Sequence, residues 1–156
     1  MKRLLLLSLL LFISASSFAQ QTMFASRPTL TPDGSEIYFS HGGDIYKVSS
    51  SGGLALKVIS MGGNESHPKI SPDGKYLAFS SNVQGNNNVY IVPVAGGEIK
   101  QLTFHDASDV PVSWRGDSKV IYFESNRYNT ISTYGLSVDF SSSSYSGTPV
   151  RIFSHY

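Results

Sequence analysis

Three aspartates occupy the same position of a repeated segment and are the first residues that could carry acid–base or metal chemistry. Asp33 and Asp73 lie in Pro-Asp-Gly tripeptides, and Asp117 lies in Arg-Gly-Asp-Ser, at spacings of 40 and 44 residues. Carboxylates that bind calcium or share a proton must converge on one centre. An aspartate at one fixed turn position instead bonds its own backbone two residues further on. The repetition therefore predicts three Asx-type turns and no shared acidic centre.

The histidines are the next candidates. The chain has four, His41, His67, His105 and His155, and it has no cysteine. None of them pair at the spacing of zinc ligands, so the sequence predicts no zinc site. Two lie in equivalent loops with acidic neighbours: His67 and His105, with Glu65, Asp106 and Asp109. For this group we expect a structural hydrogen-bond network between successive repeats rather than contact with a ligand.

No serine has the setting of a catalytic nucleophile. The sequence lacks a Gly-x-Ser-x-Gly elbow, which holds the reactive serine of many hydrolases on a strained turn. Its serines cluster at strand ends and in loops, where a hydroxyl bonds the local backbone. We therefore predict no catalytic, cofactor-binding or metal-binding residue in this chain, and no cofactor of its own.

The aspartate turns belong to a longer repeat of short strands. Residues 28–40 are followed by Asp-Ile-Tyr and Gly-Gly, and 68–80 by Asn-Val-Tyr and Gly-Gly. The third copy is altered, with Arg-Gly-Asp at 115–117 in place of Pro-Asp-Gly. Each copy predicts four short strands and no helix. A period of about 40 residues made of four strands is typical of propeller blades.

The predicted fold class is therefore all-β, a partial β-propeller of about three four-stranded antiparallel blades. The predicted blades span approximately 24–60, 61–103 and 104–156. Because propellers close with about four to eight blades, we expect this chain to be the start of a longer propeller. Aromatic residues on the strands are expected to stack between adjacent blades: Tyr38, Tyr46, Tyr90, Tyr122 and Trp114.

The first 19 residues have the pattern of a signal peptide. Lys2 and Arg3 precede an apolar stretch over 4–13, and Ser-Phe-Ala at 17–19 resembles a cleavage site. The apolar stretch is too short for a permanent membrane helix, so we expect export, with the periplasm as destination and no membrane segment after cleavage. Lys and Arg number 12 against 11 Asp and Glu, without clusters, which argues against nucleic-acid binding.

The second repeat resembles the Pro-Asp propeller repeat. It contains Pro72-Asp-Gly-Lys-Tyr-Leu-Ala-Phe-Ser-Ser-Asn82 and Val89-Tyr-Ile-Val-Pro-Val-Ala-Gly-Gly-Glu98, then Gln101-Leu-Thr103. This repeat occurs in the TolB protein, in tricorn-type proteases and in propeller-capped prolyl oligopeptidases. Two further segments, Gly43-Asp-Ile-Tyr-Lys-Val48 and Leu102-Thr-Phe-His-Asp-Ala-Ser-Asp-Val-Pro111, look most like the tricorn type.

In tricorn-type proteases an N-terminal propeller precedes a second propeller, a PDZ domain and a tail-specific serine-peptidase core. The resemblance thus implies a non-catalytic segment of a TolB-like, six- or seven-bladed propeller, which acts as scaffold and peptide gate for a downstream protease. The implied partners are peptides or other protein domains. Two alternatives stay open: a TolB-like binding propeller without enzymatic activity, and the propeller cap of a prolyl-oligopeptidase-type hydrolase.

Overall fold

The computed structural model describes residues 24–141 and 146–154. The predicted signal peptide and His155 lie outside these residues. The described chain forms three four-stranded antiparallel sheets, which confirms the prediction of an all-β partial propeller. Within the described ranges, no helix is long and apolar enough to cross a membrane.

Each sheet is one blade, and its strands are ordered in space as they are in sequence. Blade one contains β1 (Ser26–Leu30), β2 (Glu36–His41), β3 (Asp44–Ser49) and β4 (Leu56–Ile59). Blade two contains β5 (Ser66–Ile70), β6 (Tyr76–Ser81), β7 (Asn88–Pro93) and β8 (Lys100–Gln101). Blade three contains β9 (Asp109–Trp114), β10 (Val120–Ser125), β11 (Ser132–Ser137) and β12 (Val150–Ser154).

One strand is shorter than the sequence predicts. The pattern over 99–103 predicts the last strand of blade two, but β8 is only Lys100–Gln101. The hydroxyl of Thr103 accepts the backbone N–H of Val89 at 2.9 Å. A side chain thereby takes the place of a ladder carbonyl, and the regular pairing ends.

The tight turn after the first strand is the same in all three blades. The N–H of Gly34 donates to the Thr31 carbonyl at 2.9 Å, and that of Gly74 donates to Ser71 at 2.8 Å. In blade three the N–H of Ser118 makes the equivalent bond at 3.0 Å. Ser118 adopts a φ of 61°, so the altered third copy keeps the turn without a glycine at this position.

The three aspartates stabilise these turns, as the sequence predicts. Asp33 Oδ1 accepts the N–H of Ser35 at 3.1 Å. Asp73 Oδ1 accepts the N–H of Lys75 at 3.1 Å, and Asp117 Oδ1 accepts that of Lys119 at 3.0 Å. Each carboxylate therefore stabilises the turn of its own blade, and the three do not form a common centre.

Two hydrophobic clusters hold the blades together. The first interface, between blades one and two, buries Tyr38, Ile45, Ile59, Ile70, Leu77, Phe79, Tyr90 and Val92. The second interface, between blades two and three, buries Ala78, Val89, Ile91, Leu102, Ile121, Phe123, Tyr134, Leu136 and Val138. Alternate residues of blade two thus face opposite neighbours, as the two-residue period of a strand requires.

Two of the tyrosines expected to stack between blades have their ring partner in their own blade, although Tyr90 also packs in the first interface. Tyr46 stacks on Phe39, and Tyr90 stacks on Phe79, with ring centroids 5.9 and 5.8 Å apart. Both pairs join neighbouring strands of one sheet. Directly opposed residues in a sheet have Cβ atoms about 5 Å apart. The cross-strand neighbour in the same blade is therefore within stacking distance of each ring.

The first strands of the three blades converge. β5 contacts both β1 and β9, and the indole Nε1 of Trp114 on β9 donates to the Lys69 carbonyl on β5 at 2.9 Å. The fourth strands β4, β8 and β12 lie at the opposite edges of their sheets. Side chains at the beginning of β1, β5 and β9 are thereby brought close together.

Candidate functional site at the converging inner strands

The first strands of blades one and two begin with the same pattern, Ser-Arg-Pro at 26–28 and Ser-His-Pro at 66–68. The middle residue has a positive φ, 54° at Arg27 and 55° at His67. Pairing with the second strand shifts register at both places, as in a β-bulge. Non-glycine residues rarely adopt this conformation, and bulges commonly re-aim a side chain. Both blades therefore present the side chain that precedes the proline in the same way.

Arg27 and His67 line one cavity of about 300 Å³ at the meeting point of the blades, which we call the axial cavity. The rest of its lining comes from the start of blade three and the adjoining loops: Ser108, Val110, Glu124, Ser125, Asn126 and Ile131. A guanidinium, an imidazole and a carboxylate from three different blades therefore share a single cavity. Such a mixture can bind the polar and charged groups of a peptide.

The imidazole of His67 has a lowered pKa. Burial, followed by the positive charges of Arg27 and Lys69, lowers the pKa of its imidazole to about 4. Its Nδ1 lies 2.9 Å from the Ser66 hydroxyl and 3.4 Å from the Ser80 hydroxyl. His67 is therefore neutral at pH 7 and forms a hydrogen-bonded group with two serines. Ser66 lies on a β-strand, not on the strained elbow that activates a nucleophile, so the geometry favours binding over catalysis.

Glu65 is fully buried and closes the loop that leads into blade two. Its carboxylate accepts the N–H groups of Met61 and Gly63 at 3.0 and 3.1 Å and the Ser81 hydroxyl at 2.8 Å. A Cβ on Gly63 would lie 2.9 Å from Glu65 Oε1 and 2.7 Å from the backbone nitrogen of Val83. Glycine is thus required at 63 for the loop to surround the carboxylate. Glu65 has a structural role, as the sequence predicts.

Asp109 has the corresponding place at the start of blade three and is also fully buried. Its Oδ2 accepts a hydrogen bond from Arg127 at 2.9 Å. The guanidinium also donates to the Ser125 hydroxyl at 2.9 Å and lies over the Tyr134 ring, 4.6 Å from its centroid. The backbone N–H of Asp109 donates to the Asn87 carbonyl of blade two at 2.8 Å. The carboxylate of Asp109 thus bonds within blade three, and it is the backbone of Asp109 that links blade three to blade two.

The other two members of the predicted network lie apart from these carboxylates. His105 and Asp106 are exposed. His105 Nδ1 accepts the N–H of Ala107 at 3.0 Å, and its carbonyl accepts the side-chain amide of Asn86 at 2.8 Å. His105 thus stabilises a connection between blades, whereas His67 lines the axial cavity.

Sequence reasoning missed several residues of this region. Arg27 and Arg127 were not singled out, and neither was a contact that two asparagines repeat. Asn82 Oδ1 accepts the N–H of Asn64 at 2.7 Å, and Asn126 Oδ1 accepts that of Ser108 at 2.9 Å. The signal was present, because Ser-Asn occurs at 81–82 and again at 125–126. Aligning the repeats residue by residue would have found it.

The described residues contain no cluster of three or more His, Cys, Asp or Glu side chains that could hold a metal ion. Glu124 is the carboxylate that lines the axial cavity, whereas Glu65 and, through its Oδ2, Asp109 accept hydrogen bonds within the protein outside that lining. The ligands that this cavity suits are therefore those that pair with a guanidinium, a neutral imidazole, a carboxylate and hydroxyl groups.

Converging four-stranded antiparallel blades define a partial β-propeller of the TolB type. Residues 22–152 match the family described as the tricorn protease N-terminal beta propeller domain. The chain belongs to this family. It is also similar to tricorn protease homolog 1 of Streptomyces coelicolor (strain ATCC BAA-471 / A3(2) / M145), with 32% identity over 105 residues. That match covers 67% of this chain and 9% of the relative.

Solved structures agree with this assignment at the level of the fold. The crystal structure of TolB from Acinetobacter baumannii has a TM-score of 0.66 and 25% identity, covering 83% of this chain and 32% of that one. The crystal structure of the tricorn protease has a TM-score of 0.62 and 16% identity, covering 76% of this chain and 12% of that one. The chain thus spans less than a tenth of the curated relative and about a third of TolB.

Proposed function

We propose that this chain is a non-catalytic propeller segment of an exported, tricorn-like serine peptidase, in which it serves as scaffold and as a gate for peptides. The observation that carries the proposal is the family match over 22–152. The axial cavity supports it, because Arg27, His67 and Glu124 offer polar contacts to a peptide where the blades converge. Catalytic residues are supplied by another part of the parent protein.

The test has a genetic and an enzymatic arm. The gene that encodes this chain is sequenced beyond the codon for Tyr156, where a PDZ domain and a tail-specific peptidase core are expected. The full-length product should cleave peptides, and deletion of 24–154 should change its preference for peptide length while leaving cleavage of very short peptides. Peptide cleavage by the purified chain alone would contradict the non-catalytic role.

A TolB-like binding propeller is the second candidate. Its support is the likeness to TolB, at 25% identity. This candidate predicts that the reading frame ends with the propeller and that envelope proteins bind the loops at one face. A peptidase core downstream would exclude the TolB-like candidate. If that core also lacks a Gly-x-Ser-x-Gly elbow, it would exclude the prolyl-oligopeptidase-type cap as well.

Export is a separate proposal that concerns residues 1–19. Its support is the basic start, the apolar stretch and the small residues at 17–19. Amino-terminal sequencing of the protein from its native host should find Gln20 as the first residue, in the periplasmic fraction. A retained Met1, or recovery from the cytoplasmic fraction, would contradict export.

A further inference from the structure

The two interfaces between blades differ where the third strand of a blade ends. The N–H of Val94 in blade two donates to the Lys75 carbonyl at 2.8 Å. The N–H of Val138 in blade three donates to the Lys119 carbonyl at 2.9 Å, so the two valines are equivalent. Blade two then turns tightly through Ala-Gly-Gly at 95–97. Blade three instead continues through a longer excursion that contains Phe140.

Phe140 fills the wedge between blades two and three. Its ring stacks on Tyr76 of blade two, with centroids 3.6 Å apart and planes at 5°. Both rings pack against the hydrophobic cluster of the second interface. At this interface the chain therefore supplies its own aromatic plug, inserted from a loop.

The corresponding wedge of the first interface is open. It forms a cleft of about 310 Å³, which we call the rim cleft. Its walls are mainly apolar: Val58, Ile59, Leu77, Val92, Val94 and Ile99. The turn at 95–97 adds Gly96 and Gly97, which have no side chain to insert. The rim cleft continues the first interface, because Ile59, Leu77 and Val92 also belong to its core.

The polar end of the rim cleft is fixed by an ion pair. Lys47 Nζ lies 2.8 Å from Glu36 Oε1, and the Tyr38 hydroxyl donates to Glu36 Oε2 at 3.3 Å. Tyr38 and Lys47 line the cleft together with its apolar walls. A side chain that enters here thus meets an apolar slot beside groups able to bond a peptide backbone.

We propose that the rim cleft binds an aromatic side chain carried by a peptide segment of a protein partner. Within this molecule Phe140 occupies the equivalent place of the second interface and stacks on Tyr76. The repeat places Glu36 at the position of Tyr76 in blade one, and the ring available in the rim cleft is that of Tyr38. Aromatic anchors in pockets dominate the energy of many protein interfaces, and a buried ring removes some 150–250 Å² of surface from water. This proposal does not depend on the gating role, since the rim cleft and the axial cavity share no residue.

The first arm of the test uses the sequence of the internal plug as a probe. The blocked peptide acetyl-Val-Asp-Phe-Ser-amide, copied from 138–141, is titrated into the full-length protein by isothermal calorimetry. The matched peptide has Ala in place of Phe. We expect saturable binding of the Phe peptide and at least ~10-fold weaker binding of the Ala peptide, because the ring supplies most of the buried area.

The second arm locates the site with two substitutions on β4. Val58→Asp places a charge in the cleft wall and should weaken binding of the Phe peptide by at least ~10-fold. Leu56→Asp is the control, because Leu56 is exposed and outside the cleft lining; it should change the affinity by less than ~2-fold. Both residues are partly solvent-exposed, at 36% and 54%, and circular dichroism confirms that each variant is folded.

Three results would overturn the proposal. The first is equal affinity for the Phe and Ala peptides, or no saturable binding at all. The second is an equal loss of affinity in Val58→Asp and Leu56→Asp. The third is binding of free p-cresol as tight as that of the peptide, which would make the occupant a small aromatic molecule rather than a protein segment.

Discussion

At the scale of single residues, Ser118 combines a strained backbone with a useful contact. Its φ of 61° is close to the 73° of Gly34 and Gly74 in the equivalent turns. Unlike glycine, Ser118 has a hydroxyl, which accepts the backbone N–H of Asp73 in blade two at 3.0 Å. The third turn is thereby tied to the neighbouring blade, which explains why a serine is suitable there.

Ser118→Ala should destabilise the protein more than Ser118→Gly does. Alanine loses the bond to Asp73 and keeps the left-handed backbone, whereas glycine loses the bond but relieves about 1–2 kcal/mol of strain. Urea unfolding of the two variants measures the difference in the free energy of unfolding. An alanine variant as stable as the wild type would show that the hydroxyl contributes nothing.

The Tyr134 hydroxyl is buried and has no hydrogen-bond partner among the described residues. Removing an unsatisfied polar group is about neutral or stabilising, so Tyr134→Phe should leave the free energy of unfolding unchanged or raise it. Tyr38→Phe is the matched control, because the Tyr38 hydroxyl donates to Glu36 at 3.3 Å. The control should cost about 0.5–1.5 kcal/mol. A clear loss of stability in Tyr134→Phe would show that the Tyr134 hydroxyl does have a hydrogen-bond partner.

His67 should make stability depend on pH below neutrality. The pKa of His67 is lowered from 6.5 to about 4 in the folded state, first by burial and then by Arg27 and Lys69. Between these values the unfolded chain binds more protons, so stability falls as the pH drops from 6.5 towards 4. His67→Gln should reduce the slope of the melting temperature against pH across this window. The control is His105→Gln, at an exposed position, which should leave that slope unchanged. Equal slopes in wild type and His67→Gln would exclude this cause.

At the scale of elements, Arg127 ties the loop after β10 to the start of β9. Its side chain is only 11% exposed, and that of its partner Asp109 is fully buried. Removing one member of a buried ion pair leaves an uncompensated charge and costs about 3–5 kcal/mol. Arg127→Ala should cause a loss of this size in urea unfolding.

A double variant separates the cost of an unpaired charge from the value of the ion pair. Asp109→Leu combined with Arg127→Met fills the same space with apolar groups, a replacement that is often neutral. It should recover at least half of the stability lost in Arg127→Ala. If the double variant is no more stable than the single one, the pair itself carries specific stability.

The elements could be predicted from sequence far better than the contacts between them. Pro-Asp-Gly and alternating apolar residues mark each strand and turn locally, so the blades follow from short-range chemistry. Phe140 stacks on Tyr76 across 64 residues of sequence, and Arg127 reaches Asp109 through the fold. Neither contact leaves a local pattern, because each depends on how one blade packs on the next. The axial cavity was missed for the same reason, since its lining comes from three repeats.

At the scale of the whole molecule, the outer strands β4 and β12 carry several exposed apolar side chains. Large apolar side chains are solvent-accessible on β4 and β12: Leu56, Val58, Val150, Ile152 and Phe153. Within the described residues these strands have one unpaired edge. An exposed apolar edge is a template for association with another chain.

Ile152→Lys should therefore increase the monomeric fraction of the isolated chain. A lysine on an edge strand opposes pairing with a second edge, and Ile152 is already 52% exposed. Light scattering coupled to size-exclusion chromatography measures the effect. Thr148→Lys adds the same charge in an exposed position outside β12 and should change the association much less. An equal effect of both lysines would point to net charge instead of the edge.

The repeated left-handed residue before the inner proline has a consequence for how such a protein can acquire new specificity. At Arg27 and His67 the backbone has nearly the same φ, although the side chains differ in charge and shape. The flanking serine, the proline and the register shift are common to both positions, and only the middle residue differs. We therefore expect that a single substitution at Arg27 in blade one or at His67 in blade two changes the chemistry of the axial cavity and leaves the surrounding backbone unchanged. These positions are natural starting points for directed evolution of a new ligand preference.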